Sequence, residues 1–129
     1  AAAEARGLWL DVALARPAPA RLHAMALRQA LDNLLANAVR YGPKDSAIEV
    51  RLVRDGGLWR LTVRDFGVGV PEAERERIFA PFHRLDRSGG AGLGLAIVRE
   101  VLRQHEGQVT ARAPEHGPGA LLVVELPVA

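Results

Sequence analysis

Asn33, Asn37, Arg40 and Tyr41 stand at i, i+4, i+7 and i+8 in a stretch whose apolar residues also follow helical spacing. At about 100° per residue the four share one stripe, turned roughly 120° from the face that carries Leu27, Leu31, Leu34 and Ala38. Asparagine is a mediocre helix former because its amide competes with the backbone, so two of them one turn apart call for a reason. An amide oxygen is a neutral hard ligand for Mg²⁺, whose remaining positions go to water and phosphate oxygens. Arg40 is then placed to meet a phosphate and Tyr41 to offer its ring to a base. A solvated polar face is the other reading of this stripe and, without further motifs, the commoner one.

Asp65-Phe66-Gly67-Val68-Gly69 follows an alternating strand pattern. A carboxylate at a strand end can accept from an exocyclic amine, which adenine carries where guanine presents a carbonyl. Gly67 and Gly69 allow a sharp turn and close approach to a flat ligand, although Asp and Gly also make ordinary turns. Gly89-Gly90-Ala91-Gly92-Leu93-Gly94-Leu95 opens directly into a helical pattern, and bare backbone N–H groups at such a start suit phosphate. Between these motifs lie Phe79 and Phe82, expected to anchor an otherwise polar lid, and Arg84 and Arg87, which can reach a terminal phosphate.

These residues need a frame. Leu8 to Leu14 alternates as a half-buried strand, and His23 to Tyr41 reads as the longest helix, stopped by Gly42-Pro43. Residues 47 to 65 read as a hairpin turning at Asp55-Gly56-Gly57. Residues 66 to 92 show little periodicity beyond a helical turn near Glu72 to Phe79, the length and character of a functional loop. Leu93 to His105 is a second helix capped by Gly107, and Gln108 to Ala113 and Ala120 to Leu126 form a closing pair of strands. The order predicts a single α/β domain over 1–129, a two-layer sandwich of one mixed five-stranded sheet with about three helices on one face.

Composition narrows the chemistry further. The 129 residues include no cysteine, which removes thiolate metal sites and cysteine nucleophiles. Lys44 is the only lysine among 17 basic residues and sits in a turn-like cluster, so neither a GxxxxGK[ST] loop nor a kinase-type strand lysine is present. A formal charge of +2 with scattered arginines gives little support to nucleic-acid binding. No apolar stretch is long enough to cross a bilayer, and the opening Ala1-Ala2-Ala3-Glu4 reads as mid-protein sequence.

Taken in order, the motifs resemble the ATP-binding catalytic domain of bacterial two-component sensor histidine kinases, in the GHKL ATPase superfamily. Leu31 to Tyr41 is similar to its N box, Asp65 to Gly69 to its first glycine box, Phe79 to Phe82 to its F box, and Gly90 to Leu95 to its second glycine box. The resemblance covers about residues 8 to 126 and implies the Bergerat-type fold with a mobile ATP lid at about 70–92. It implies that Asn37 coordinates Mg²⁺ on the ATP phosphates with Asn33 assisting, that Arg40 lies near the phosphates, and that Tyr41 packs on adenine. Asp65 would bind the adenine amine, Gly67 and Gly69 would shape the pocket, and Gly90, Gly92, Leu93, Gly94 and Leu95 would close the phosphate side. Arg84 would engage the γ-phosphate during transfer.

The implied activity is transfer of that phosphate from Mg²⁺-ATP to a histidine on a separate dimerisation domain of the same protein, with a response regulator downstream. A soluble, monomeric, cytoplasmic domain of an inner-membrane sensor is the expected setting. None of His23, His83, His105 or His116 stands in a phosphoacceptor context, so that histidine is expected outside these residues. Phe66 replaces the asparagine common in the first glycine box, and the stretch from Asp86 to Gly90 is shorter than in many family lids. Two other functions share the motifs: a stand-alone serine kinase acting on an anti-sigma antagonist, and an interaction module in which nucleotide only changes partner affinity.

Overall fold

A computed structural model describes residues 9–14, 21–82 and 94–127, with side chains described over 28–82 and 94–127. The elements run β1 (Trp9–Leu14), α1 (Arg21–Tyr41), β2 (Ala47–Asp55), β3 (Leu58–Arg64), α2 (Gly94–Gln104), β4 (Gln108–Arg112) and β5 (Leu121–Pro127). Five strands form one sheet in the order β1-β2-β3-β5-β4. β1 pairs in parallel with β2, from Trp9 opposite Ala47 to Leu14 opposite Leu52, and α1 supplies the crossover that a parallel pair needs. The other pairings are antiparallel.

Alternation decides which sheet face is dry. Ile48, Val50 and Leu52 of β2, Trp59, Leu61 and Val63 of β3, and Leu122, Val124 and Leu126 of β5 meet Ala30, Leu34 and Ala38 of α1 and Val98 and Leu102 of α2 in one core. Leu31 and Leu35 flank that core half-buried. The opposite face carries Arg60, Thr62 and Arg64 beside Val123 and Glu125, so its polar groups are met by ion pairs instead of helices.

Two local expectations change. Gly107 does not hold the left-handed position that ends α2; Glu106 does, at φ 60°, while the Gly107 N–H bonds the Leu102 carbonyl at 2.7 Å. Glycine at 107 instead answers crowding, since a Cβ there would stand 2.6 Å from the Glu125 carbonyl oxygen. The helical turn expected near 72 to 79 takes the form of two short 3-10 turns, Glu72–Glu74 and Arg77–Phe79, beside the two α-helices of the described residues.

Candidate functional site

Asp65, Gly67, Gly69 and Tyr41 come together where α1, the end of β3 and the start of β5 meet. Asp65 follows the last residue of β3 and is 3% exposed, one of two buried charged residues among those described. Its backbone N–H donates to the Ala120 carbonyl at 3.1 Å, which continues the β3–β5 ladder by one rung. Its Oδ1 accepts from the Gly67 N–H at 2.8 Å, which closes a tight turn just past the strand end. Burial pushes the Asp65 carboxyl up from its ordinary 3.8, against the opposing pull of backbone hydrogen bonding at Gly67 and Ala120 and of the Arg64 charge. A carboxylate in this state gains from one more donor.

Helix α1 runs across this corner. A Cβ at Gly67 would lie 2.2 Å from the Tyr41 carbonyl oxygen, so the last turn of α1 and the glycine loop touch backbone to backbone. Two turns earlier, Asn33 Nδ2 donates to the Gln29 carbonyl at 3.1 Å. Its Oδ1 lies 3.6 Å from where a Cβ on Gly94 would stand, at the N-terminus of α2. Asn33, Asn37, Arg40 and Tyr41 are all half-buried, so the polar stripe of α1 is neither core nor open surface. Eight residues separate Asn33 from Tyr41, about 12 Å along a helix. One end of that span therefore holds a buried carboxylate and glycine turns, and the other an amide and a helix N-terminus.

The stem of the following loop is held by Val70, Ile78 and Phe79, all packed on the core. Arg99 of α2 lies over the Phe79 ring, 5.1 Å from its centroid, and pairs with Glu76. Phe82, expected to be a second anchor, is 71% exposed. Its φ of 66° puts it in the left-handed region just after Pro81. Arg84, Arg87, Gly90, Gly92 and Leu93 lie outside the described residues; Gly94 and Leu95 open α2, with Leu95 packed against the core.

Two features escape sequence reasoning. Gly119, in the connection between the two closing strands, has φ 113°, and a Cβ on it would stand 1.9 Å from the Asp65 carbonyl oxygen. The Gly117-Pro118-Gly119 string was the available signal, because two glycines exceed what a simple connection needs. Arg64, one of the scattered arginines, reaches across to the same turn.

No group of three or more His, Cys, Asp or Glu side chains able to hold a metal occurs among the described residues. Asn33 and Asn37, half-buried on one stripe of α1, carry amide oxygens, a donor type that suits a hard cation completing its shell with phosphate and water oxygens. No helix of the described residues is long and apolar enough to cross a membrane.

Residues 23–129 match the family model for histidine kinase-, DNA gyrase B- and HSP90-like ATPases. The sensor protein PfeS of Pseudomonas aeruginosa is 42% identical over 110 residues, covering 84% of this chain and 24% of PfeS. The sensor histidine kinase CpxA of Escherichia coli is 44% identical over 108 residues, covering 80% of this chain and 23% of CpxA. The chain thus spans about a quarter of the length of these curated relatives. Among solved structures, the mycobacterial sensor histidine kinase MprB superposes with a TM-score of 0.80 at 30% identity, covering 97% of this chain and 85% of that one. Full-length ShkA, in complex with AMPPNP, superposes with a TM-score of 0.82 at 36% identity, covering 99% of this chain and 27% of that one.

Proposed function

The chain belongs to the family of histidine kinase-, DNA gyrase B- and HSP90-like ATPases, and from that premise we propose that it binds Mg²⁺-ATP and donates the γ-phosphate to a histidine on a separate dimerisation domain in two-component signalling. The observation that carries the reading is the buried Asp65, with one oxygen occupied by Gly67 and its charge held at a cost. Its other oxygen accepts from the adenine amine, a bond that a 6-oxo purine cannot make. Tyr41 packs against the base, while Gly67 and Gly69 keep the pocket wall thin enough for a flat ring. That the relative ShkA was solved with an ATP analogue supports the nucleotide.

The phosphates then run along α1 toward Asn33 and the start of α2. Asn37, assisted by Asn33, presents amide oxygens to Mg²⁺, and Arg40 neutralises charge on the phosphate chain. The glycine-rich stretch from Gly90 to Leu95 supplies backbone N–H groups to the phosphates. When bound, Mg²⁺ screens phosphate charge as the γ-phosphoryl group departs. Residues from about 70 to 92 act as the lid, and Arg84 meets the γ-phosphate during transfer. Most of the catalysis is positioning and charge neutralisation, with the nucleophile supplied by the partner domain. The domain works on the cytoplasmic side of a sensor protein, and the response regulator receives the phosphate at the next step.

The test is incubation of the chain with labelled ATP, Mg²⁺ and a matching histidine-bearing domain. Label on the histidine domain, lost in Asn37→Ala, is the expected result. Nucleotide binding without transfer to that domain would overturn the kinase reading.

A further inference from the structure

The turn between β4 and β5 is tied to the base pocket by Arg64. Arg64 Nη2 donates to the His116 carbonyl at 2.6 Å and to the Pro118 carbonyl at 2.9 Å, bracketing Gly117. Its guanidinium carbon lies over the Phe66 ring, 4.2 Å from the centroid, and Nη1 stands 3.9 Å from Glu49 on the neighbouring strand. Gly117 and Gly119 both take positive φ, 78° and 113°, so this turn has a shape that side chains rarely permit. The shape presses Gly119 between two parts of the pocket. A Cβ on Gly119 would stand 1.9 Å from the Asp65 carbonyl oxygen, and a Cβ on Gly69 would stand 2.8 Å from the Gly119 oxygen.

Arg64 Nε is buried without a hydrogen-bond partner, an arrangement that costs free energy and argues against a passive surface charge. We propose that Arg64 is a positioning residue for base recognition: stacked on Phe66, it clamps the β4–β5 turn so that Gly119 fixes the backbone of Asp65 and Gly69 on both sides of the base. The proposal rests on reading Asp65 as the acceptor for the adenine amine. It also gives Phe66 a role, as the platform on which the guanidinium lies. Lysine cannot replace arginine here without loss, because one ammonium cannot lie over the Phe66 ring while it also reaches both turn carbonyls and Glu49.

The test compares the parent chain with Asp65→Asn, Arg64→Met and Arg64→Lys by calorimetry against Mg²⁺-ATP and Mg²⁺-inosine triphosphate, with thermal unfolding recorded for each. The inosine nucleotide keeps ribose and phosphates but lacks the amine, so it reports the rest of the site. Arg64→Met is expected to lose about tenfold in ATP affinity, the size of one misaligned hydrogen bond to a charged group, while inosine triphosphate affinity is retained. Arg64→Lys, expected to fold whether or not the methionine variant does, should show a smaller loss confined to ATP. Unchanged ATP affinity in a folded Arg64 variant, alongside a loss in Asp65→Asn, overturns the clamp and leaves the site reading intact. Equal losses for both nucleotides overturn the clamp as well, since Arg64 then acts on general stability of the site. Unchanged ATP affinity in Asp65→Asn overturns the site reading, and the clamp with it.

Discussion

Asp65 and Glu125 are both nearly closed to solvent, at 3% and 8% exposure, and their surroundings drive them in opposite directions. Glu125 lies on the helix-free face of β5, where Arg60 Nη2 donates to its Oε2 at 2.9 Å and Gln108 Nε2 to its Oε1 at 2.8 Å. The Gln108 and Arg60 hydrogen bonds hold its carboxyl below the ordinary 4.5. Asp65 sits against α1 and the glycine turns, where burial outweighs its backbone hydrogen bonds and raises its carboxyl. One carboxylate has met its partners within the fold. The other is buried with acceptor capacity to spare, which is the state expected of a group that completes its shell with a ligand.

Exchanging the charge of Asp65 tests this contrast most strongly. Asp65→Asn should lower ATP affinity by about 10- to 100-fold, the worth of a hydrogen bond to a charged acceptor, as read by calorimetry. The same variant should unfold no more easily than the parent at neutral pH, because it removes a charge that burial disfavours while an amide oxygen remains for Gly67. Glu125→Ala should do the reverse. Its ATP affinity stays at the parent value, while denaturant unfolding shows a loss of about 1–3 kcal/mol from leaving Gln108 and neighbouring donors unsatisfied.

Acid titration sharpens the comparison through its signs. A folded-state pKa raised above the unfolded value means that the folded protein binds the proton more tightly, so the Asp65 penalty present at neutral pH is relieved as pH falls through its raised pKa toward 3.8. Glu125 is the opposite case: its contribution is full above 4.5 and is lost as pH falls through its depressed pKa. Parent ATP affinity should therefore decline on acidification above the ordinary aspartate range, and the Asp65→Asn variant should lack that decline. The smallest effect is expected at Asp55, the exposed arm of the Arg60 network at 59% side-chain exposure. Asp55→Ala should alter unfolding by about 0.5 kcal/mol or less.

The two carboxylates also mark how far sequence reading extends. Strand alternation from Ile48 to Leu52 and the helical spacing of Leu34 and Ala38 follow from burial on one face, so sheet, helices and hairpin were legible. The place of Asp65 at a strand end was legible from the alternation before it, whereas its 3% exposure was not, since Asp and Gly also make ordinary turns. The approach of Asn33 to Gly94 was not, since those residues are far apart in sequence and meet only once α2 packs beside α1. Phe82 misled because composition marks it as an anchor, whereas it stands left-handed after Pro81 and exposed to solvent. Nothing in the sequence sets Arg64 apart from the other arginines, or Gly119 from an ordinary turn glycine. Their roles depend on the β4–β5 turn folding back over β3, a tertiary fact without a local pattern.

The most direct measurement is a crystal structure of this chain with Mg²⁺ and a non-hydrolysable ATP analogue. The adenine amine within hydrogen-bond reach of Asp65, and the phosphates running along α1 with Asn37 on the metal, are the expected result. An adenine bound away from Asp65, or an Asp65 carboxylate facing only water with nucleotide present, would contradict the assignment of this corner as the base pocket.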